Sequence, residues 1–493
     1  LRSQLMSNKK QKKQEKNQEK VQEAPTKSSL MNPTIMQIST RQWLYELGIK
    51  NIKDVPDTVL DQFKKDGITV VYLVGVWKLG QFGLNHNKLD DELVKQFKQT
   101  LPDLQTADII GSPFAITEYS VNPQIGSDED MKQFKARLHE RGMLLLLDFV
   151  PNHCAVDSPL VGDHPEYFVR KPFTDGARQL PNGIFFGGDI NSAWKDTLQF
   201  NLFSPNAVKQ RIDDLLKVAQ LSDGARCDVA HFGLTEEFEK NWGQKVQKQI
   251  TSEFWEQAIQ TVRKQNPNYL FLAEEFGKST TQLTQQGFNF CYDKDGLLDT
   301  LASRNMDNIR DYIKGARLEV GTHFVENHDE QRAVAKFGSH EIANAAAIIS
   351  YTLPGMKFMF HGQQEGKQNK LQVQLRRGLA EETHKQTSEF YQKLFQILKN
   401  DVFQGEWQYK QVEGWDAWRL VAWTWQKDNQ KALIVVNFTD QQGQGAVKLQ
   451  VEGGTIKFHE MFTGAVYDRN EWEVREKGLY CIIEKFTAQI FFY

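Results

Sequence analysis

Five acidic residues in this chain stand at the ends of apolar runs. Asp148 closes Met143-Leu144-Leu145-Leu146-Leu147, and Asp228 comes two residues after Arg226 at the end of a second run. Glu274 and Glu275 close Tyr269-Leu270-Phe271-Leu272-Ala273, and Asp329 follows Asn327-His328 after Thr322-His323-Phe324-Val325. A carboxylate at the end of a buried strand is costly unless it is paired or functional. If these strands close into a parallel barrel, their ends open on one face and the acids converge. Such an array suits cleavage of a glycosidic bond, which needs one carboxyl group to attack or stabilise the anomeric carbon and another to protonate the leaving oxygen. Asp228 and Glu274 are the candidates, and a retaining pair would face each other about 5 Å apart. Arg226 points to the same side of its strand as Asp228 and would hold it ionised. Asp329 would raise the pKa of Glu274 by like-charge proximity, and His153 and His328 offer hydrogen bonds to a sugar ring. Acidic strand ends also serve aldolases and metal enzymes on the same architecture, so position alone leaves those classes open.

The elements that must position these groups are legible as alternating patterns. Strand-like apolar runs occur at 35–39, 70–76, 143–150, 225–229, 269–274, 288–292, 322–326 and 356–360. Unbroken apolar runs suit strands buried on both faces. Helical spacing lies between them. Ser204 then Pro205 reads as a helix start, followed by Val208, Ile212, Leu215 and Ala219; Thr251 is expected to open another helix. The fold class is therefore α/β, a (β/α)8 barrel spanning 33–153 and 204–400, with an open doubly wound sheet as the alternative. The interval 154–203 is rich in Pro, Gly, Asp and Asn and reads as an inserted small domain. Residues 401–493 alternate apolar and polar and read as an antiparallel β-sandwich. Residues 1–32 are a polar tail too poor in apolar residues to offset ordering.

At this point the residues are recognisable. Asp148-Phe149-Val150-Pro151-Asn152-His153, Gly224-Ala225-Arg226-Cys227-Asp228, Phe271-Leu272-Ala273-Glu274 and Phe324-Val325-Glu326-Asn327-His328-Asp329 resemble, in order, the four signatures of the α-amylase family, glycoside hydrolase family 13, in its bacterial-type branch. The resemblance implies a catalytic barrel, a small domain B, a C-terminal β-sandwich and retaining action on α-glucosidic bonds in malto-oligosaccharides or α-glucans. It implies Asp228 as covalent nucleophile, Glu274 as acid/base and Asp329 as stabiliser of the distorted sugar. It also implies substrate contacts from Arg226, His153, His328, Asp148 and a stacking Phe114. No cofactor is required on this reading. Asn152 matches a calcium-ligand position, but Val229-Ala230-His231-Phe232 lacks the Lys-His pair that accompanies calcium in many amylases, which puts that ion in doubt. Phe114-Ala115-Ile116 lacks the Asp that some exo-acting relatives carry, so exo action is not supported by that motif.

Transglycosylation or glucoside isomerisation on the same site is the alternative function, and a non-catalytic scaffold ranks last because all three carboxylates are present. The expected partner is an oligosaccharide or polysaccharide. A net charge of −3 gives no pull toward nucleic acid, and no apolar run is long enough to span a membrane. Four dispersed cysteines suit a reducing compartment, and the expected location is cytoplasmic. Cys227 should face away from the pocket. Glu275 is ambiguous, because neighbouring strand residues face opposite ways. His231, His323 and His361 read as supporting histidines. Trp415, Trp418, Trp423 and Trp425 read as core, and Arg376, Arg377 and a charged helix near Glu381 as solvent-facing.

Overall fold

The computed structural model describes residues 31–493. The polar tail falls outside them except at its end, where Asn32 is built into the barrel floor. Its Nδ2 donates to the Phe403 carbonyl at 2.8 Å, and its Oδ1 accepts from the Gly355 N–H at 2.7 Å.

Eight strands close into an all-parallel barrel in sequential order: β1 Thr34–Ser39, β2 Val70–Val74, β3 Leu144–Phe149, β4 Gly224–Cys227, β5 Leu270–Ala273, β6 Phe290–Tyr292, β7 Gly321–His323 and β8 Met356–Phe360. Strand β8 returns to β1 with Ile35 opposite Phe358, so the sheet has no edge and the doubly wound alternative is gone. Every residue of these strands is buried. One set of side chains fills the barrel and the other lies under the helices, so the strands read as continuous apolar runs. The ladder of β4 stops at Cys227, short of the expected end at Val229, because the chain turns there.

The helix Pro205–Leu221 starts as expected, although the Ser204 side chain makes no cap hydrogen bond. Val208, Leu215 and Val218 face the barrel. After a shorter helix, Thr235–Trp242, comes Phe254–Gln265, three residues later than its expected start at Thr251. It buries Phe254, Ala258, Ile259 and Val262.

Two insertions rise above the carboxyl ends of the strands. After β2, a ribbon of Trp77–Leu79 and Ile116–Val121 brackets two helices, Gln81–Leu89 and Asp91–Thr100. Asp90 caps the second by accepting from the Leu93 N–H at 3.0 Å. After β3 comes a three-stranded sheet of His153–Ala155, Phe186–Gly188 and Ala193–Gln199, with a small core that includes Phe168, Phe185, Leu198 and Phe200.

Beyond the barrel, a six-stranded antiparallel sheet packs with a three-stranded one to form the sandwich. Trp423 and Trp425 dock it onto the barrel, both indole N–H groups donating to the Thr352 carbonyl at 3.1 and 2.7 Å. Trp415 and Trp418 are exposed rather than core. The solvent-facing expectation holds for Arg376, whose side chain is 43% exposed, and fails for Arg377, at 17%. Both guanidinium groups converge on the fully buried Asp108, the Arg377 Nη2 at 2.9 Å and the Arg376 Nε at 2.9 Å, because a buried carboxylate needs cationic partners. The charged helix expected near Glu381 is Lys385–Leu398, and Glu381 lies in the loop before it. Its carboxylate accepts from the backbone N–H groups of Gln368 and Asn369 and fixes the loop after β8. Among the described residues no helix is long and apolar enough to cross a membrane.

Candidate active site

Arg226 is the centre of the arrangement. It lies on β4 with its side chain wholly buried. Its Nη1 donates to Asp228 Oδ1 at 2.6 Å and lies 3.4 Å from Asp148 Oδ1. Its Nη2 approaches Glu274 Oε1 to 2.6 Å. That last contact is close but off the N–H axis, so it is an ion pair rather than an aligned hydrogen bond. One guanidinium thus touches three carboxyl groups from β3, from the end of β4 and from the end of β5. The rings of Phe114 and Tyr292 flank it, 5.3 and 5.7 Å from their centroids.

The turn after β4 is strained. Val229 takes a left-handed conformation, φ 38°, which a β-branched residue rarely adopts. The turn aims the Val229 N–H at Glu274 Oε2, 2.7 Å away, so the strained residue holds one carboxyl group beside the other. Burial pushes the Glu274 carboxyl well above its ordinary range. The Arg226 cation opposes this, and the negative charges of Asp228 and Asp329 add to it. Asp148 is pushed up to about 6, mainly by burial. Its Oδ1 accepts from the Tyr72 hydroxyl at 2.6 Å.

Two histidines complete the pocket, each with its ring oriented by an amide. Gln37 on β1 accepts the His328 backbone N–H at 3.2 Å, which turns its Nε2 toward His328 Nδ1 at 2.6 Å. The His328 proton therefore sits on Nε2, 3.1 Å from Asp329 Oδ2. His153 is set through a longer relay. Gln199 Nε2 donates to the carbonyls of Asn152 and Phe200 at 3.1 and 3.2 Å, which fixes its amide orientation. The same nitrogen donates to Asn152 Oδ1 at 2.8 Å, and Asn152 Nδ2 then donates to His153 Nδ1 at 3.3 Å. That leaves the His153 Nε2 proton facing Asp228 Oδ2 at 3.9 Å. Burial lowers both histidines to about 4, so both are neutral donors near pH 7.

The amide relay bears on calcium. Asn152 Oδ1 is occupied by an amide N–H, and the adjoining carbonyls are engaged by the same nitrogen. A donor nitrogen stands where a cation would need oxygen, so these residues do not fit calcium. Among the described residues no group of three or more His, Cys, Asp or Glu is placed to hold a metal.

A cavity of about 560 Å³ joins Phe114, His153, Asp228, Glu274 and Asp329. It also gathers His86, Asn87, Asp90, Trp194, Asp196 and Gln374, none of which stood out in the sequence as pocket residues. The ring of Phe114 lies 5.5 Å from that of His328, as a wall beside the carboxylates. Glu275 turns away. Its carboxylate accepts from the Gly277 N–H at 2.7 Å, the Ser279 N–H at 3.2 Å and the Thr280 hydroxyl, which ties down the loop. Cys227 is buried and burial pushes its thiol up, so it is inert packing. His231 leans on Phe232, its ring 4.3 Å from that one, while His323 pairs with Asp293 at 2.9 Å and His361 faces Glu46 at 3.7 Å.

A parallel eight-stranded barrel, a domain inserted after β3 and a carboxyl cluster bridged by one arginine define the class. The chain belongs to the α-amylase family: the family described as Alpha amylase, catalytic domain, matches residues 112–447. It is 25% identical over 264 residues to an alpha-1,4-glucan:maltose-1-phosphate maltosyltransferase of Picrophilus torridus, covering 50% of this chain and 35% of that protein. It is likewise 25% identical over 277 residues to the α-amylase MalA of Haloarcula japonica, covering 52% of this chain and 37% of that protein. The matches thus span little more than a third of those relatives. In structure it is similar to an α-amylase from Lactobacillus plantarum, with a TM-score of 0.68, 22% identity, 94% of this chain and 100% of that one covered. A maltogenic α-amylase AmyB from Thermotoga neapolitana gives a TM-score of 0.69 at 20% identity, with 94% and 99% covered.

Proposed function

We propose that this protein is a retaining glycoside hydrolase that cleaves α-glucosidic bonds in malto-oligosaccharides or α-glucans. The observation that carries this reading is the Arg226 guanidinium within 2.6 Å of both Asp228 and Glu274 in one cavity. Asp228, paired to a permanent cation, is the carboxylate that attacks the anomeric carbon. The C1–O bond breaks as the Asp228–C1 bond forms, and the Glu274 proton goes to the departing oxygen. Glu274, now ionised, takes a proton from water; that oxygen attacks C1 and releases Asp228 with net retention. Asp329, next to the His328 Nε2 proton, stabilises the distorted sugar, and His153 and His328 donate to its hydroxyls as neutral rings. The same covalent intermediate, met by a sugar hydroxyl instead of water, gives transglycosylation, and the Picrophilus torridus relative is named as a maltosyltransferase. Four cysteines held as buried free thiols support a reducing, cytoplasmic setting.

The test is Asp228→Asn on maltoheptaose, with products and their anomeric form read by chromatography and NMR. The wild type should release the α-anomer. The variant should lose at least about 10³-fold in rate while keeping its melting temperature. Wild-type turnover in the variant, or release of the β-anomer by the wild type, would remove the assignment.

A further inference from the structure

The insertion after β2 reaches over the catalytic cavity and locks onto the insertion after β3. The Phe82 N–H, in the first turn of the helix Gln81–Leu89, donates to Asp157 Oδ2 at 2.9 Å. At the next residue, a side-chain carbon on Gly83 would stand only 3.2 Å from the Asp196 Cβ, so helix and inserted domain touch backbone to side chain. At Gly80 the same carbon would crowd the Asp157 carboxylate and come 2.9 Å from the Ala155 Cβ, so the two insertions also approach closely there. The two insertions therefore form a continuous wall across one end of the cavity. Strand β2 is separated from β5, which leads to Glu274, by β3 and β4, so the part of the wall that follows β2 rises from another sector of the barrel rim than the proposed acid, and we assign it to the glycone side.

This wall carries a polar group with nothing to do. Asn87 is 3% exposed, lines the cavity, and its Oδ1 has no hydrogen-bond partner among the described residues. Gln374, on the loop after β8, lines the same cavity and its Oε1 is also buried without a partner. A buried amide oxygen left unpaired costs free energy, and two of them facing one pocket define hydrogen-bond positions that a ligand's hydroxyl groups would fill. We propose that Asn87 and Gln374 read the hydroxyls of a non-reducing terminal glucosyl unit, so that the enzyme acts on chain ends of short malto-oligosaccharides and not within long chains. This rests on the glycosidase reading above. It places chain-end selection on residues outside Phe114-Ala115-Ile116, the stretch whose sequence does not support exo action.

The experiment compares maltoheptaose with the same chain capped by a 4,6-O-ethylidene group at its non-reducing end. The cap removes two hydroxyl donors and adds bulk at the wall. The wild type should cut the uncapped chain at least about 100-fold faster, because a site built around a hydroxyl discriminates strongly against its loss. In Asn87→Ala, kcat/KM on the uncapped chain should fall about 10- to 100-fold and the capped/uncapped ratio should narrow, with melting temperature unchanged. Gln374→Ala should narrow the ratio in the same direction. A merely structural role would slow both substrates alike and leave the ratio where it was. Equal cutting of both chains by the wild type, or an unchanged ratio in both variants, overturns chain-end selection. A wild type inert on both chains refutes the glycosidase reading itself, and the proposal with it.

Discussion

Replacing Gln199 by Glu should turn a metal-free junction into a calcium-dependent one. In the wild type the Gln199 amide nitrogen serves three oxygens, those of Asn152 O, Asn152 Oδ1 and Phe200 O, at 3.1, 2.8 and 3.2 Å. Both side chains are fully buried. Gln199→Glu replaces that donor with an oxygen, so Asn152 Oδ1 and the Phe200 carbonyl lose their partner, the Asn152 carbonyl keeps only the Phe200 N–H at 3.0 Å, and a carboxylate faces all three unpaired. Losses of this kind in a buried network amount to about 3–5 kcal/mol. The new group of oxygens is what calcium prefers. Calcium at 100 times its dissociation constant would return about 2.7 kcal/mol, most of the loss. The assay is thermal unfolding of both proteins in EDTA and in millimolar calcium. The wild type should melt at the same temperature in both. The variant should melt lower in EDTA and recover with calcium. Because Asn152 also orients His153, the variant in EDTA should lose kcat more than it raises KM. A wild-type protein that unfolds earlier in EDTA than in calcium would refute the argument that the amide stands in for the ion.

With Glu274 as the proposed acid, its raised pKa should set the alkaline side of the pH profile. The group must be neutral to protonate the leaving oxygen, so kcat/KM should fall as pH rises through its folded pKa. Asp329→Asn removes one of the charges that raise it and should move that limb to lower pH; an unmoved limb would mean that Asp329 does not act on Glu274 electrostatically. Glu274→Gln should cripple substrates with poor leaving groups while sparing activated aryl glucosides, and equal losses on both would remove Glu274 as the acid. His328 tests linkage. Its folded value of about 4 lies below the ordinary 6.5, so the unfolded chain takes up its proton first as pH falls. The stability tied to the neutral ring is present above pH 6.5 and is lost toward pH 4. At pH 5 the loss is about 2 kcal/mol, so His328→Asn should flatten the fall in unfolding free energy between pH 7 and pH 5 by that amount in urea titrations.

What the sequence announced and what it hid follow from one physical distinction. Eight strands were legible because burial on both faces leaves no room for polar alternation; the run from Leu144 to Leu147 is the plainest case. The acidic cluster was legible because a charge at the end of such a run is costly and must have a reason. The expected bounds failed where a turn or a pairing across the fold decided the outcome. Val229 left its strand to enter a left-handed turn, and Asn32 was drawn from the tail into the floor. Arg377 looked like a surface charge because its partner Asp108 is more than 260 residues away in sequence.

The neutral amides were the least legible of all, and they do most of the orienting. Gln37, Gln199, Asn87 and Gln374 carry no charge and sit in stretches with no unusual composition. An amide in sequence is equally at home in solvent, in a turn or in a core. Its meaning comes only from which of its two ends meets which partner, and those partners arrive from distant elements: 291 residues separate Gln37 from His328, and 47 separate Gln199 from Asn152. The carboxylates state what reaction the pocket can perform. Where each histidine proton points, whether an ion is needed at the base of the inserted domain, and which sugar unit the cavity accepts are set by the amides. The relatives this chain resembles carry different printed names, an α-amylase and a maltosyltransferase. Variation in uncharged residues around a fixed acidic centre changes what is presented to the centre and leaves the centre's own chemistry in place.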